Sequence, residues 1–401
     1  MAQDNVLVVG AGPVGLTIAL GLARAGVEVT VVERGSALNT SPRAAVYQWC
    51  VLDYLAELGV LADVEERGVR GRGLGMRRFD TGQRIRRSAS VLDGYVAHPY
   101  TIHLGQDKLG EIVLAHLRRC PHANVVWNTE VTGLRQDADK VTVYTTTSDG
   151  PGELHGGWAI GADGARSVVR QSLGLDFDGL TWPERFVATN IRYDFRAHGF
   201  DDGNFVADQR MGAVVVVLSR DGLWRCTYQE DAKLPVDTIP ERMASFFAAF
   251  LPGAKEVELV EWSPYRMHQR SASRYRLGRV LLAGDAAHAT NPTGGLGLTS
   301  GLFDAQALGG ALAAVIRGES GDEVLDRYDE VRRRTFLEIA SPAATAYKRL
   351  VFGTGPAGLD ASFAAMAAED EATQRANMLA LARLRTPSLD TPSPESGSTD
   401  G

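Results

Sequence analysis

Cysteine is scarce in this 401-residue chain: Cys50, Cys120 and Cys226 stand far apart and form no C-x-x-C pair. That leaves neither a disulfide framework nor a zinc site, and no metal is expected. Lysine is nearly as rare, at 108, 140, 233, 255 and 348, so almost all positive charge is arginine, which reads as codon usage more than function. The formal charge is −7, and the whole-chain basic field that nucleic acid or an anionic membrane would require is missing. No basic segment precedes the first apolar stretch, MAQDNVLVVGAGPVGL, and glycines with Pro13 interrupt it too early for a spanning helix. Neither a signal peptide nor a membrane anchor is therefore expected, and a reducing cytoplasm fits the cysteine usage. What is present, 44% hydrophobic and 23% charged residues, is the composition of a globular protein with one large domain or two linked ones.

Residues 5–9 (NVLVV) form a short apolar run, a glycine turn follows, and Val14 to Ala25 is almost continuously apolar. With Gly26 as a stop and Val27–Val32 (VEVTVV) as a second strand, this is the parallel β-α-β unit that opens a doubly wound α/β fold. Two more strand-then-glycine units come much later, at Trp158–Gly164 (WAIGADG) and Arg279–Asp285 (RVLLAGD), so the cofactor domain is split along the chain. Between them, Arg185–Phe195, Gly212–Leu218 and Leu223–Tyr228 are alternating or β-branched and predict a sheet-rich insertion. From Asp304 to about Leu384 the chain is Ala-rich and helical in pattern. Its end, TPSLDTPSPESGSTDG, cannot bury enough apolar surface to order, which makes 387–401 an expected disordered tail.

Gly10-Ala11-Gly12-Pro13-Val14-Gly15 is a G-x-G-x-x-G segment between a strand and a helix, the context that makes it a nucleotide fingerprint. Gly10 permits the tight turn, Gly12 lets the backbone approach a pyrophosphate, and Gly15 lets the helix pack on the sheet with its N–H groups facing the phosphates. Glu33, with Arg34 beside it, ends the second strand eighteen residues after Gly15 (33 − 15). There a carboxylate accepts from ribose hydroxyls and disfavours a 2′-phosphate. This unit alone does not separate NAD from FAD, since both contain ADP.

A second segment, Gly161-Ala162-Asp163-Gly164-Ala165-Arg166, follows an apolar strand and begins a helix; a plain Asp helix cap is the alternative reading. The third is more specific: Gly284-Asp285-Ala286-Ala287-His288, continuing into Asn291-Pro292-Thr293-Gly294-Gly295-Leu296-Gly297-Leu298-Thr299. Asp285 ends a buried strand, where open α/β sheets bind ligands, and can accept from a ribitol hydroxyl. The glycines let backbone press on a flat ligand, and the helix starting near Leu296 points its positive end there, favouring an anionic reduced flavin.

These three motifs, in this order and spacing, resemble the single-component flavoprotein aromatic hydroxylases, the p-hydroxybenzoate hydroxylase-like group, over about residues 1–350. The resemblance implies an α/β fold with a discontinuous Rossmann-type FAD-binding domain, an inserted sheet-rich substrate domain and a C-terminal helical segment. The expected boundaries are 1–75 with 100–178 and 270–350 for FAD binding, 76–99 with 179–269 for substrate, and 351–386 for the helices. It further implies FAD held by Gly10, Gly12, Pro13, Val14, Gly15, Glu33 and Arg34; by Arg43 near the pyrophosphate and Gln106 near the flavin; by Asp163, Gly164 and Arg166; and by Asp285, Pro292, Gly295, Gly297 and Leu298. Where many members place Met-Asn after the last glycine, Leu298-Thr299 stands here, so any side-chain contact of that Asn is lost. NADPH or NADH is a transient reductant in that family, in keeping with the absence of a second Rossmann fingerprint; Arg70–Met76 has glycines without a helix signature.

By the same resemblance, O2 adds to reduced FAD to give a C4a-hydroperoxide whose distal oxygen passes to an electron-rich ring carbon of a small aromatic substrate, phenolic or polyketide-like. Deprotonating a phenol raises its nucleophilicity, and His98, Arg192, Tyr193, Tyr228 and His268 are the candidate substrate-site groups; His288 reads as a structural loop residue. The Val- and Gly-rich pocket tilts the expectation toward tailoring of an aromatic natural product over catabolism of simple phenols. An epoxidase or Baeyer–Villiger-type oxygenase on the same fold, and a non-catalytic flavin-binding protein, are the alternatives, while the absent Trp-x-Trp-x-Ile-Pro segment disfavours a halogenase. A monomer or homodimer is expected.

Overall fold

The computed structural model of the chain describes residues 5–253, 257–386 and 389. Apart from Leu389, the expected disordered tail lies outside those residues.

Val6–Val9 is buried at every position and lies inside a six-stranded sheet. The order is Arg276–Leu277, Val280–Leu282, Trp158–Gly161, Val6–Val9, Val29–Val32, Ala123–Val126. Every pairing is parallel except that of Arg276–Leu277. Parallel strands covered on both faces must be apolar throughout, which is why VLVV, VTVV and WAIG stand out in the sequence. The helix Pro13–Arg24 packs against Gln106–Leu117 and Leu296–Ile316. Leu296–Ile316 is long and apolar enough to cross a bilayer by length and composition, yet it is mostly buried inside the fold, as an all-round apolar helix in a large core should be.

The second layer is an eight-stranded sheet in the order His288–Ala289, Glu258–Ala272, Phe177–Arg192, Leu223–Asp231, Ala213–Val217, Gly203–Ala207, Gly73–Arg78, Arg84–Ser88. The glycine-rich segment near Arg70–Met76 thus supplies a strand, paired parallel with Gly203–Ala207. Side chains alternate across this sheet. Val187, Ile191, Val215, Val217, Trp224, Cys226 and Tyr228 pack on one face with the helix Ile239–Phe250. Phe186, Phe205 and Met267 point the other way, toward Val351, Phe352 and Phe363 of the C-terminal segment. That segment is less regular than its composition predicts, with π-helical turns at Phe336–Ala340 and Arg349–Gly353 interrupting the α-helices.

The strand-to-helix turn at the amino terminus is the tightest point of the first layer. A Cβ on Gly15 would stand 2.1 Å from the Gly10 carbonyl oxygen, whereas one on Gly12 would meet nothing within 4 Å. Gly15→Val should therefore lower unfolding stability by about 1–3 kcal/mol or more. Gly12→Ala should change it by less than about 0.5 kcal/mol. Denaturant midpoints of the two variants check this, and equal losses would contradict it.

Candidate active site

A single cavity of about 1860 Å³ runs from the carboxyl ends of the parallel strands to the inner face of the eight-stranded sheet. Gly10, Gly12, Pro13, Val14, Glu33, Arg34, Arg43, Gln106, Asp163, Gly164, Arg166, Asp285, Pro292, Gly295, Gly297 and Leu298 all line it. Gly15 does not; it serves the helix–strand contact behind. Gly10 has φ +104°, a left-handed conformation that favours glycine at this turn.

Each acid among these residues has a distinct setting. Glu33 accepts from the Ala11 and Gly35 N–H groups, both at 2.9 Å, which fixes the turn and leaves lone pairs toward the cavity. Asp163 Oδ2 accepts from the Val168 and Val169 N–H groups at 2.7 and 3.3 Å in the first turn of the helix Val168–Ser172, while Ser167 is the N-cap itself, so Asp163 supports the helix start without being its cap. Its Oδ1, however, is buried with no hydrogen-bond partner among the described residues, and burial pushes the carboxyl above the usual carboxylate range against the pull of Ser167 and three main-chain N–H groups, those of Val169, Asp163 and Val168. Asp285 opens into the cavity while protein encloses it, and desolvation raises it too, offset by His288, Arg43 and His268.

Behind Asp285 lies a fully buried node centred on Asp304, which, like Arg332, no sequence motif flagged. Asp304 Oδ2 accepts from the Gly284 N–H at 3.0 Å and from His288 Nε2 at 2.6 Å, and Oδ1 accepts from Arg332 Nε at 2.7 Å. Arg332 also donates to the Ser300 and Leu384 carbonyls. His288 stacks on Phe336 at 4.6 Å, so it is a buried structural group. Although burial alone would raise Asp304, His288 and Arg332 hold it down at about 2.

Of the substrate-site candidates, the structure brings only His268 to the cavity. Its Nδ1 lies 2.9 Å from Thr181 Oγ1, and burial together with Arg270 and Arg266 lowers its pKa. His98 sits in an outer loop beside Tyr100 and Asp53. Arg192 is at the solvent end of its strand, paired with Asp221 at 3.0 Å. Tyr193 donates to the Pro252 carbonyl, and Tyr228 stacks on Phe246 at 4.1 Å on the far face of the sheet. The correction has one cause for Tyr228: strand parity sends Arg225 and Thr227 to the cavity and Cys226 and Tyr228 away from it.

Sequence reading missed His103, Arg225, Arg87 and Tyr347, all of which line the cavity. His103 is buried, its Nε2 3.1 Å from Thr101 Oγ1, and desolvation lowers its pKa to about 4. Arg225, also buried, spends Nε and one η nitrogen on Asn190 Oδ1 at 3.0 and 2.9 Å and another on the Arg43 carbonyl. The signal for Arg225 was a lone charge between Trp224 and Cys226 in an apolar strand, which places it opposite to them.

Residues 3–341 match the family described as FAD binding domain. The chain is 44% identical over 346 residues to para-nitrophenol 4-monooxygenase of Pseudomonas sp. (strain WBC-3), covering 86% of each. It is likewise 44% identical over 356 residues to 6-hydroxy-3-succinoylpyridine 3-monooxygenase HspB of Pseudomonas putida (strain DSM 28022 / S16), covering 88% of this chain and 90% of that one. The crystal structure of p-nitrophenol 4-monooxygenase PnpA from Pseudomonas putida DLL-E4 superposes with a TM-score of 0.92 at 41% identity, over 95% of this chain and 98% of that chain. The residues present fit FAD: open space over Gly12, and buried acceptors without partners among the described residues at Asp163 Oδ1 and Thr293 Oγ1 on the cavity wall.

Replacing Asp304 leaves Arg332 buried and uncompensated, so Asp304→Asn should cost about 3–5 kcal/mol of stability at pH 7 and weaken FAD retention. Because the folded carboxyl is depressed to about 2, its contribution is complete above the ordinary carboxylate range and fades as pH falls through 2. The stability gap between wild type and variant should stay constant above about pH 5 and narrow as pH falls from about 4 to about 2; a gap that stays unchanged down to about pH 2 would contradict this.

Proposed function

The chain belongs to the FAD-dependent aromatic hydroxylases, and on that premise we propose that its substrate is a single-ring phenol or hydroxypyridine oxidised at the carbon para to the ring hydroxyl. The observation that carries this reading is the one continuous cavity, which joins the three nucleotide motifs to a chamber with His103 in its wall. The names of the two 44% identical relatives support it. In para-nitrophenol oxidised at C4, and in 6-hydroxy-3-succinoylpyridine oxidised at C3, the position named is para to the hydroxyl and already carries a substituent. That favours ring oxygenation over epoxidation, Baeyer–Villiger chemistry or a non-catalytic role.

Bound FAD supplies the redox chemistry, taking two electrons from NADH or NADPH and activating O2. The protein's share is binding, orientation and proton control. Glu33 would take the adenosine ribose, Arg34 and Arg43 the phosphates, and Asp285 a ribitol hydroxyl, with Asp163, Gly164 and Arg166 flanking the cofactor. Leu296, Gly297 and Leu298 present main-chain N–H groups at the start of a helix, where negative charge on a reduced ring would be stabilised. Gln106 stands at the flavin end. His268 borders the opening.

His103 acts on the substrate hydroxyl. Burial keeps its imidazole neutral, so it accepts a hydrogen bond from the phenol, and an entering phenolate is the opposite charge that raises its affinity for the proton. With 4-nitrophenolate the balanced reaction consumes one O2, one NAD(P)H and one proton, and the neutral phenol supplies that proton itself. The new C–O bond forms at the carbon bearing nitrogen, the C–N bond breaks with its electron pair leaving as nitrite, and quinone, water and NAD(P)+ result.

Purified holoenzyme should oxidise NADH or NADPH faster with 4-nitrophenol and release nitrite in proportion. His103→Leu should lower kcat/KM by about 100-fold and shift the pH profile while flavin content stays unchanged. Reductant consumption that yields only H2O2 with every para-substituted phenol and hydroxypyridine would sink the reading.

A further inference from the structure

Arg87, on the strand Arg84–Ser88, lines the same cavity from the side closed by the C-terminal helices. One η nitrogen donates to Glu369 Oε2 at 2.5 Å, and the two side chains are only 22% and 18% exposed. Its Nε is buried with no hydrogen-bond partner among the described residues, and no hydrogen bond joins its other η nitrogen to any of them. Beside it is Tyr347, whose hydroxyl likewise makes no hydrogen bond among the described residues and feels the Arg87 charge. The Tyr347 ring lies against Gly294 of the glycine loop, where a Cβ would meet it at 2.6 Å, and 5.6 Å from Phe205. Asn377, also on the cavity wall, reaches Glu369 Oε1 at 3.4 Å.

We propose that Arg87 is the specificity-determining residue for the substituent para to the substrate hydroxyl, and that with Glu369 as its fixed counter-ion it selects a neutral, oxygen-bearing group, nitro or acyl, over a carboxylate. The proposal rests on the para-oxidation reading above. Glu369 already balances the guanidinium charge, so the pair is neutral overall. A nitro or acyl oxygen takes up donors that the protein leaves unused, with no change in net charge. A carboxylate would bring a second negative charge to a half-buried pair that has only one positive charge to share, and desolvating that excess charge opposes binding. An unsubstituted or halogen-bearing carbon would leave the Arg87 donors without partners, which a site built to hydrogen-bond penalises strongly.

The test compares 4-nitrophenol, 4-chlorophenol and 4-hydroxybenzoate on wild-type holoenzyme, Arg87→Met, Arg87→Lys and Glu369→Gln. It reads Kd from the flavin absorbance change and KM from NAD(P)H consumption. Wild type should prefer 4-nitrophenol. Arg87→Met should weaken 4-nitrophenol about 10- to 100-fold and 4-chlorophenol less than about threefold, with Arg87→Lys between them because it loses the planar fork. Glu369→Gln should tighten 4-hydroxybenzoate about 10-fold or more while leaving 4-nitrophenol within about threefold, a gain that no loss of folding can imitate. If Arg87→Met does not retain FAD, the Glu369→Gln shift decides alone. Equal weakening of all three ligands by both variants would make the pair a structural clasp and overturn the proposal. Failure of wild type to bind or oxidise any para-substituted phenol overturns the para-oxidation reading and this proposal with it, a result distinct from the clasp outcome.

Discussion

The Asp304 carboxylate is where the two halves of the chain become one site. It is fully buried and holds three donors from three places: the Gly284 N–H, His288 and Arg332. Through Gly284 it fixes the turn that carries Asp285, and through Arg332 it ties the long helix and the Leu384 carbonyl to the same point. A charge placed so deeply is tolerated only because its lone pairs are used and a guanidinium compensates it. The outcome is a rigid floor under the glycine loop 294–297. A flat ring has to be met by backbone that does not move.

How much of this was legible in the sequence follows from how far each constraint reaches along the chain. Gly10, Gly12, Gly15, Glu33, Asp163 and Asp285 answer to local demands: a left-handed turn, a close approach, a helix start, a strand end. Such demands are written in neighbouring residues, and the motifs stood out accordingly. The fold class followed, because βαβ order and uninterrupted apolar strands leave few topologies.

The substrate wall obeys long-range rules instead. Arg225 meets Asn190 thirty-five residues away, and Arg87 meets Glu369 across 282 positions. Which of two adjacent side chains faces the cavity depends on register, and a shift by one residue exchanges the faces. Choosing Tyr228 over Thr227 by chemical type ignored that parity. Alternation in LWRCTY would have corrected it, since Trp224, Cys226 and Tyr228 form the apolar set. His98 and His103 show the same limit: only the second lies on a strand, Thr101–His103, and only the pairing of that strand with Val69–Gly71 turns it inward.

An enzyme of this kind must exclude water around a reactive oxygen species and still admit a polar reductant and substrate. The cavity meets both needs by leaving selected polar groups incomplete. Asp163 Oδ1, Thr293 Oγ1 and Arg87 Nε are buried without partners, each at roughly 1–3 kcal/mol. Water has little access to those atoms, so a ligand that supplies the missing hydrogen bonds gains what the apo fold forgoes. A cofactor or substrate that satisfied these atoms would thereby couple its binding to stability. Arg34, Arg43, Arg166, Arg266 and Arg270 extend this logic to charge, since they line the cavity without a carboxylate ion pair among the described residues. These five guanidinium groups bring positive charge to the cavity of a chain whose net charge is −7, in keeping with a site for a phosphate-bearing cofactor.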